Sequence, residues 1–493
     1  MSGQKSHPAG AGLGRRKLLQ SAGLAVGGAM AMSGVAPRSH ASAVSSGVFD
    51  VVVVGAGFSG LTAARDLVRA GVGNIAVLEA RDRVGGRSWN QEPAPGLVAD
   101  AGPTWVGPGQ TAIHDLLREL GIGTIRNHDS GDIVVSVGGQ VQRIPGKAPA
   151  FNEGLVERLD ALALTVPLDA PWRAESAAQY DAMTYADYLG KQGLADEELL
   201  LVSIACQLTF GARPEDLSFL YILFYIHSAD GYSRLESMEG GAQQDRIVGG
   251  TQAVPLRMAA DLGPLVRLDH PVTLIDNWDP APGATVRLHT PAGVVEARSV
   301  ILALSPSQAT GIRFAPALPV ERAGLISHWP RSGSGIKVSV AYAMPFWRAK
   351  GLNGQVVCAD GPIMWSADTS PADASKGQLM CFSSPIGDMP PRTGDERKAA
   401  ILDLYAQCFG EEARNPIGYV EHDWSQETYT RGCVSPLTPG VLSRWGKALR
   451  VPNGRLVWAG TETAEIWMGY MDGAVRAGHR AALEALRALA VEV

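Results

Sequence analysis

The first apolar run after residue 45 is Phe49–Val54, in which only Asp50 is polar. A short, continuous, valine-rich run predicts a strand buried on both faces, as in a parallel sheet. Ile75–Leu78, Val300–Leu304 and Leu456–Trp458 have the same character and predict further buried strands. Between the first two runs, Leu61–Ala70 has helical character, and a second helix is expected through Arg480. Tyr221–His227 places aromatic and aliphatic residues at helical spacing, a pattern more often core than ligand contact. Lys337 breaks the rule: it lies on a predicted strand between Ile336 and Val338. A lysine there is costly to bury without partners, and the alternative is an edge position pointing to solvent.

The punctuation between these runs carries chemistry. Gly55-Ala-Gly57-Phe-Ser-Gly60 follows the first strand at once and opens the first helix. Glycines at this spacing allow a tight turn, approach of a pyrophosphate to the backbone, and close helix packing. The helix N-terminus then offers its positive dipole end to the phosphates. The second strand ends in Glu79, where an acidic side chain takes ribose hydroxyls. Strand, glycines, helix and acid in this order predict a Rossmann-like dinucleotide domain, and Glu79 disfavours a 2′-phosphate. Arg81-Asp-Arg83-Val-Gly85-Gly86-Arg87 comes next. Its glycines admit a second backbone segment to the diphosphate, with guanidinium charge beside it. At least one of the three arginines is expected to be only a solvated surface charge, and Arg87 is the preferred phosphate ligand.

Composition narrows the partners. The chain has 493 residues, enough for two or three domains. With 46% hydrophobic and 19% charged residues it is globular, and 58 glycines suit a nucleotide-binding α/β protein. A net charge of -6 without a basic stripe argues against nucleic acid. Cys206, Cys358, Cys381, Cys408 and Cys433 are widely spaced, which argues against a metal site and a disulfide scaffold. Residues 1–45 read as an export signal. Arg15-Arg16 precede an apolar, small-residue stretch, and Ala41-Ser-Ala43 offers a cleavage site. The arginine pair suggests the twin-arginine route, hence a periplasmic or secreted protein exported folded with its cofactor. Gly14 and Leu18 make the match partial. No later run reaches ~18 apolar residues, so no membrane span is expected.

With these segments the sequence resembles the flavin amine oxidase family, monoamine and putrescine oxidases in particular. The likeness begins with the glycine fingerprint and the Arg83–Arg87 segment. It continues through Asp100–Pro108, Val248-Gly-Gly-Thr251, His270-Pro-Val272, Ser334–Val338 and Pro345-Phe-Trp347. Its most specific part is Gly460-Thr-Glu462-Thr463 followed by Trp467-Met-Gly-Tyr470-Met471-Asp-Gly473-Ala474. The resemblance implies FAD and an interleaved architecture. The FAD domain would take 48–120, 246–322 and 424–493. A substrate domain of mixed sheet and helices would take 121–245 and 323–423. The apolar C-terminal anchor helix of membrane-bound relatives is expected to be missing, and a homodimer is left open.

The resemblance also implies roles. Val272 would meet the adenine through its backbone. Gly460, Glu462 and Met471 would contact the flavin half of the cofactor, with Glu462 near the ribityl and phosphate part. The helix start at Gly473 would lie near the flavin ring and stabilise negative charge on it. Lys337 would hold a water against flavin N5. Tyr470 would form one wall of an aromatic cage for the amine. The family's second aromatic wall is missing, since Val434 follows Cys433, so the cage would be half aromatic. Cys433 corresponds to the residue joined covalently to FAD in mitochondrial relatives; a bond or a free thiol both remain open. Glu236 falls near an apolar gate of related enzymes, and Gln243 near a cavity glutamine. Facing inward, Glu236 would hold a second ammonium; facing outward it would be a solvated loop carboxylate. The implied reaction is oxidation of an amine to an imine by hydride transfer to the flavin. Dioxygen or a periplasmic electron carrier would then take the electrons. A non-catalytic flavin-binding protein is the remaining alternative.

Overall fold

A computed structural model describes residues 47–146, 152–279, 281–330, 335–383 and 393–490. The export-signal reading concerns residues 1–45, outside the described residues. Among the described residues two large sheets and a helical cluster line a shared cavity, with a two-stranded and a three-stranded sheet beside them.

The first sheet has eight strands. At its centre Phe49–Val54 pairs in parallel with Ile75–Leu78 on one side and with Gly293–Leu302 on the other. Leu456–Trp458 joins the sheet in parallel beside Val300–Leu302. The valines of the first strand are buried on both faces, as the unbroken apolar run requires. Helix Phe58–Arg69 follows the central strand and packs against the long helix Met471–Ala490. That contact brings the two most distant parts of the described chain together, and the glycine turn that opens helix Phe58–Arg69 lies at the carboxyl end of the central strand. In doubly wound folds this is where nucleotides bind.

The second sheet has seven strands, in the order Gly418–Asp423, Ile336–Tyr342, Gly377–Ser383, Trp365–Asp368, Leu352–Cys358, Asp132–Val137 and Gln140–Ile144. Ile336–Tyr342 is an interior strand with every residue buried, so Lys337 is not at an edge. The last two strands form a hairpin across Gly138-Gly139, both with positive φ, the left-handed pair that a tight hairpin favours. All first-sheet strands lie within 48–120, 246–322 and 424–493. All second-sheet strands lie within 121–245 and 323–423.

Helices between Glu153 and Glu236 form the third part. Phe219–Ser228 is its axis, and nearly all its side chains sit in a core with Leu155, Leu159, Tyr185 and Phe210. Of the residues Tyr221–His227, only Tyr225 reaches the cavity; the rest of that apolar pattern is core or helix surface. No described helix is long and apolar enough to cross a membrane.

Candidate active site

The cavity encloses about 1310 Å³, more than the ~300–1,000 Å³ of an ordinary small-ligand pocket. Its first end is built on the glycine turn. Gly55 has φ +105, and a Cβ on Gly60 would lie 2.0 Å from the Gly55 carbonyl oxygen. Those two glycines fold the turn itself. Gly57 is different: a Cβ there would meet nothing closer than 4.0 Å, the nearest atoms belonging to Gly85 and Gly86. Nothing in the protein requires glycine at 57, whereas a ligand lying on the backbone would. Helix Phe58–Arg69 starts at Gly57 with no side chain capping it and no acid in its first turn. Its exposed amides and positive dipole end are left for an anion.

Glu79 is 4% exposed and accepts hydrogen bonds from the amides of Ala56, at 2.8 Å, and Arg81, at 3.0 Å. It therefore fixes the turn as well as lining the cavity. The three arginines are all held by protein groups. Arg81 bonds to Glu427 at 3.1 Å and to Thr430; Arg83 donates to the Gly86 carbonyl at 3.0 Å. Arg87 contacts Glu462 at 2.8 Å and donates to the Cys433 carbonyl at 3.3 Å. Their side chains are 11%, 16% and 29% exposed, so none is the solvated surface charge the sequence suggested. Arg87 and Arg81 line the cavity; Arg83 stands behind it over the Trp89 ring.

Glu462 is 1% exposed. It touches Arg87 at ion-pair distance, but neither carboxylate oxygen has an aligned hydrogen bond. His270 Nε2 is likewise buried without a partner. Orphaned buried polar atoms are rare and point to a missing ligand. With Gly86, Val272, Gly460 and Met471 also on the wall, the residues present fit an adenine dinucleotide.

The middle of the cavity holds Lys337, 4% exposed. Its ammonium donates to the Gly102 carbonyl and to Thr104 Oγ1, and lies over the Trp105 and Phe382 rings at 5.6 and 5.7 Å. Burial pushes it down to about 8, with Asp100 and Cys433 pulling the other way. Asp100 is fixed by the amide and hydroxyl of Thr251, at 2.7 and 3.0 Å. The Cys433 thiol faces the same space; burial pushes it up, while Arg87 and Lys337 pull it down.

Tyr470 lies beyond, against Tyr225 with ring centroids 6.1 Å apart and Trp467 at 4.9 Å. Val434 and Cys433 both line the cavity, as do the Trp105, Trp365 and Phe382 rings. Trp365 and Phe382 were not singled out in the sequence. They arrive on neighbouring strands of the second sheet, a pairing that residue order alone does not reveal. At the far end Glu236 faces inward and accepts from Thr209 Oγ1 at 2.8 Å. Burial pushes its carboxyl up to about 7, the Thr209 hydrogen bond pulling the other way. Gln243 donates to the Leu235 carbonyl at 2.9 Å, and its own carbonyl oxygen is buried without a partner.

Comparison with known proteins agrees with this geometry. The family model for flavin-containing amine oxidoreductases matches residues 58–486. The chain is 37% identical over 455 residues to flavin-containing amine oxidase B of Sus scrofa, covering 89% of this chain and 86% of that protein. Among solved structures it is similar to cyclohexylamine oxidase from Brevibacterium oxydans, with TM-score 0.83 and 33% identity over 90% of this chain and 99% of the other. Putrescine oxidase bound to putrescine gives TM-score 0.82 and 32% identity, covering 89% and 99%. On the matched span, the identity and the shared fold, this chain belongs to the flavin-containing amine oxidoreductase family.

Proposed function

We propose that this chain is an FAD-dependent amine oxidase in which Lys337 and Tyr470 set up the reacting amine. The observation that carries the proposal is Lys337 itself. A lysine buried inside a sheet, hydrogen-bonded to a carbonyl and a hydroxyl and without a carboxylate at ion-pair distance among the described residues, is costly unless it serves a ligand. FAD, when bound, supplies the acceptor for hydride from the carbon beside the amine nitrogen.

The protein's own part is positioning. The amides at the start of helix Phe58–Arg69, with Arg87, hold the diphosphate; Glu79 and Glu462 take hydroxyl groups of the cofactor. Two Lys337 donors are used on Gly102 and Thr104, which aims the third into the cavity for a water. Tyr470 and Tyr225 offer ring faces that orient the amine nitrogen and favour partial positive charge on it. Val434 keeps the opposite side apolar. Burial of the whole site excludes bulk water and leaves the amine neutral. The imine product hydrolyses to aldehyde or ketone, and dioxygen reoxidises the system to give hydrogen peroxide.

The two-sheet organisation supports assignment of 48–120, 246–322 and 424–493 to an FAD domain and the remainder to a substrate domain. Arg15-Arg16 supports twin-arginine export of the folded holoprotein to the periplasm. Export fails in an R15K/R16K variant if that assignment is right, and continues unchanged if it is wrong. The function itself is tested by peroxide release. Purified holoenzyme supplied with amines in air forms peroxide, and the K337M variant, still yellow, forms far less. Equal release from both proteins would remove Lys337 from the proposal.

A further inference from the structure

The two ends of the cavity differ in charge. Arg81, Arg87 and Arg431 lie at the dinucleotide end together with Glu79 and Glu462, and Lys337 lies at the middle. The other described lining residues with charge are the acids Asp129, Glu153, Glu157, Glu236 and Glu239, with no further lysine or arginine among them. Most of these acids have ordinary explanations. Asp129 accepts from Gln355 at 2.7 Å, Glu239 is exposed and faces Arg126, and Glu153 and Glu157 are on the rim. Glu236 does not. It is half-buried on the cavity wall, it makes no ion pair among the described residues, and Thr209 satisfies only one of its oxygens.

Every element packed around Glu236 presents neutral groups to it. They are Tyr185, Cys206 and Thr209, Tyr225, Tyr232 on its own helix, and Tyr470. Burial holds each of those phenols and the thiol well on the protonated side. Among the described residues no cation pairs with the carboxylate. Gln243 lines the same cavity, and its carbonyl oxygen has no hydrogen-bond partner. A carboxylate on a cavity wall with no cation paired to it is the chemistry that receives an ammonium group.

We propose that this arm binds the distal ammonium of the substrate, with Glu236 as its counter-ion, so that the enzyme selects α,ω-diamines and related amino-alkyl amines over simple alkylamines. The proposal rests on the amine-oxidation reading above and adds the substrate class. One amine lies neutral between Tyr470 and Lys337 while the other stays charged on Glu236. Burial places the carboxyl near pH 7 when the arm is empty, so the preference strengthens as pH rises through that region.

The test compares kcat/KM of the holoenzyme for a short α,ω-diamine and for the n-alkylamine of the same length, below and above about pH 7. Taking the ratio largely cancels ionisation of the reacting amine. The wild-type ratio favours the diamine and climbs with pH. In E236Q the ratio falls by roughly thirtyfold or more and becomes flat with pH. E236D recovers part of it, and flavin content reports whether each variant is folded. An unchanged ratio in E236Q, or an equal loss for both substrates, overturns the proposal; equal loss would place Glu236 in the chemistry instead. Should the variants not fold, a wild-type ratio that ignores pH overturns it equally. If alkylamines are oxidised but diamines are not favoured, only the substrate assignment falls. If no amine reduces the flavin, the reading beneath it falls as well.

Discussion

The dinucleotide end and the substrate end of this cavity treat buried charge in opposite ways. At the first, Arg81 meets Glu427, Arg87 meets Glu462, and Glu79 is bound by backbone amides. Charges there are paired within the protein, and on the cavity wall the Glu462 oxygens and His270 Nε2 are left without aligned hydrogen bonds, so the end is preformed and accepts a ligand of fixed shape. At the second, Glu236 has a single hydroxyl partner in a shell of phenols. There the balance is left to the ligand. Cofactor binding stops and substrate choice begins where the internal pairing of charges ends.

The largest effect falls on the glycine turn. Gly57→Val meets open space in the protein, so the chain folds but is purified colourless and without turnover. Gly60→Val collides with the Gly55 carbonyl, and the apoprotein itself fails to accumulate. If both variants behave alike, the distinction between a turn glycine and a ligand glycine is wrong. Next, Lys337→Met retains flavin and lowers kcat by roughly 10²-fold, on the scale of a lost positioning or proton-handling group. The wild-type lysine also leaves a stability signature. Its folded value of about 8 lies below the unfolded 10.5, so the unfolded chain binds more protons between those limits. Stability therefore rises with pH across that window in wild type, and K337M lacks the rise in chemical denaturation.

Glu236→Gln gives the opposite signature. The folded carboxyl, near 7, lies above its unfolded 4.5, so the folded state binds more protons between them. Ionising it in the empty cavity costs stability as pH rises. In denaturation without amine, E236Q is more stable than wild type by about 1–3 kcal/mol above pH 7, and the gain fades toward pH 4.5. Equal stability at all pH would mean that Glu236 already has a partner. The smallest effect belongs to Cys433. Its thiol is held protonated by burial, so denaturant releases FAD into solution from wild type as from C433A. Flavin that stays with the denatured chain would show a bond.

Much of the first end was legible in the sequence because its parts are contiguous. A buried strand, three glycines, a helix and Glu79 follow one another, and each step restricts the next. Lys337 was legible for a related reason: an isolated charge in an apolar run must be accounted for. The partners were not. Glu427 lies 346 residues from Arg81, and Thr209 lies 27 from Glu236 on another helix; no local pattern joins them. Periodicity also could not separate core from cavity in Phe219–Ser228, where Tyr225 alone lines the cavity. The Gly138-Gly139 hairpin was readable from its turn chemistry but was not among the predicted elements. Whether Glu236 faced in or out was decided by tertiary packing alone.

The most direct test mixes oxidised holoenzyme with a short diamine in the absence of oxygen and follows the flavin absorbance. The account predicts that the yellow colour bleaches within turnover time and returns, with peroxide, when air is admitted. A flavin that stays oxidised in the presence of mono-, di- and aromatic amines alike would contradict it.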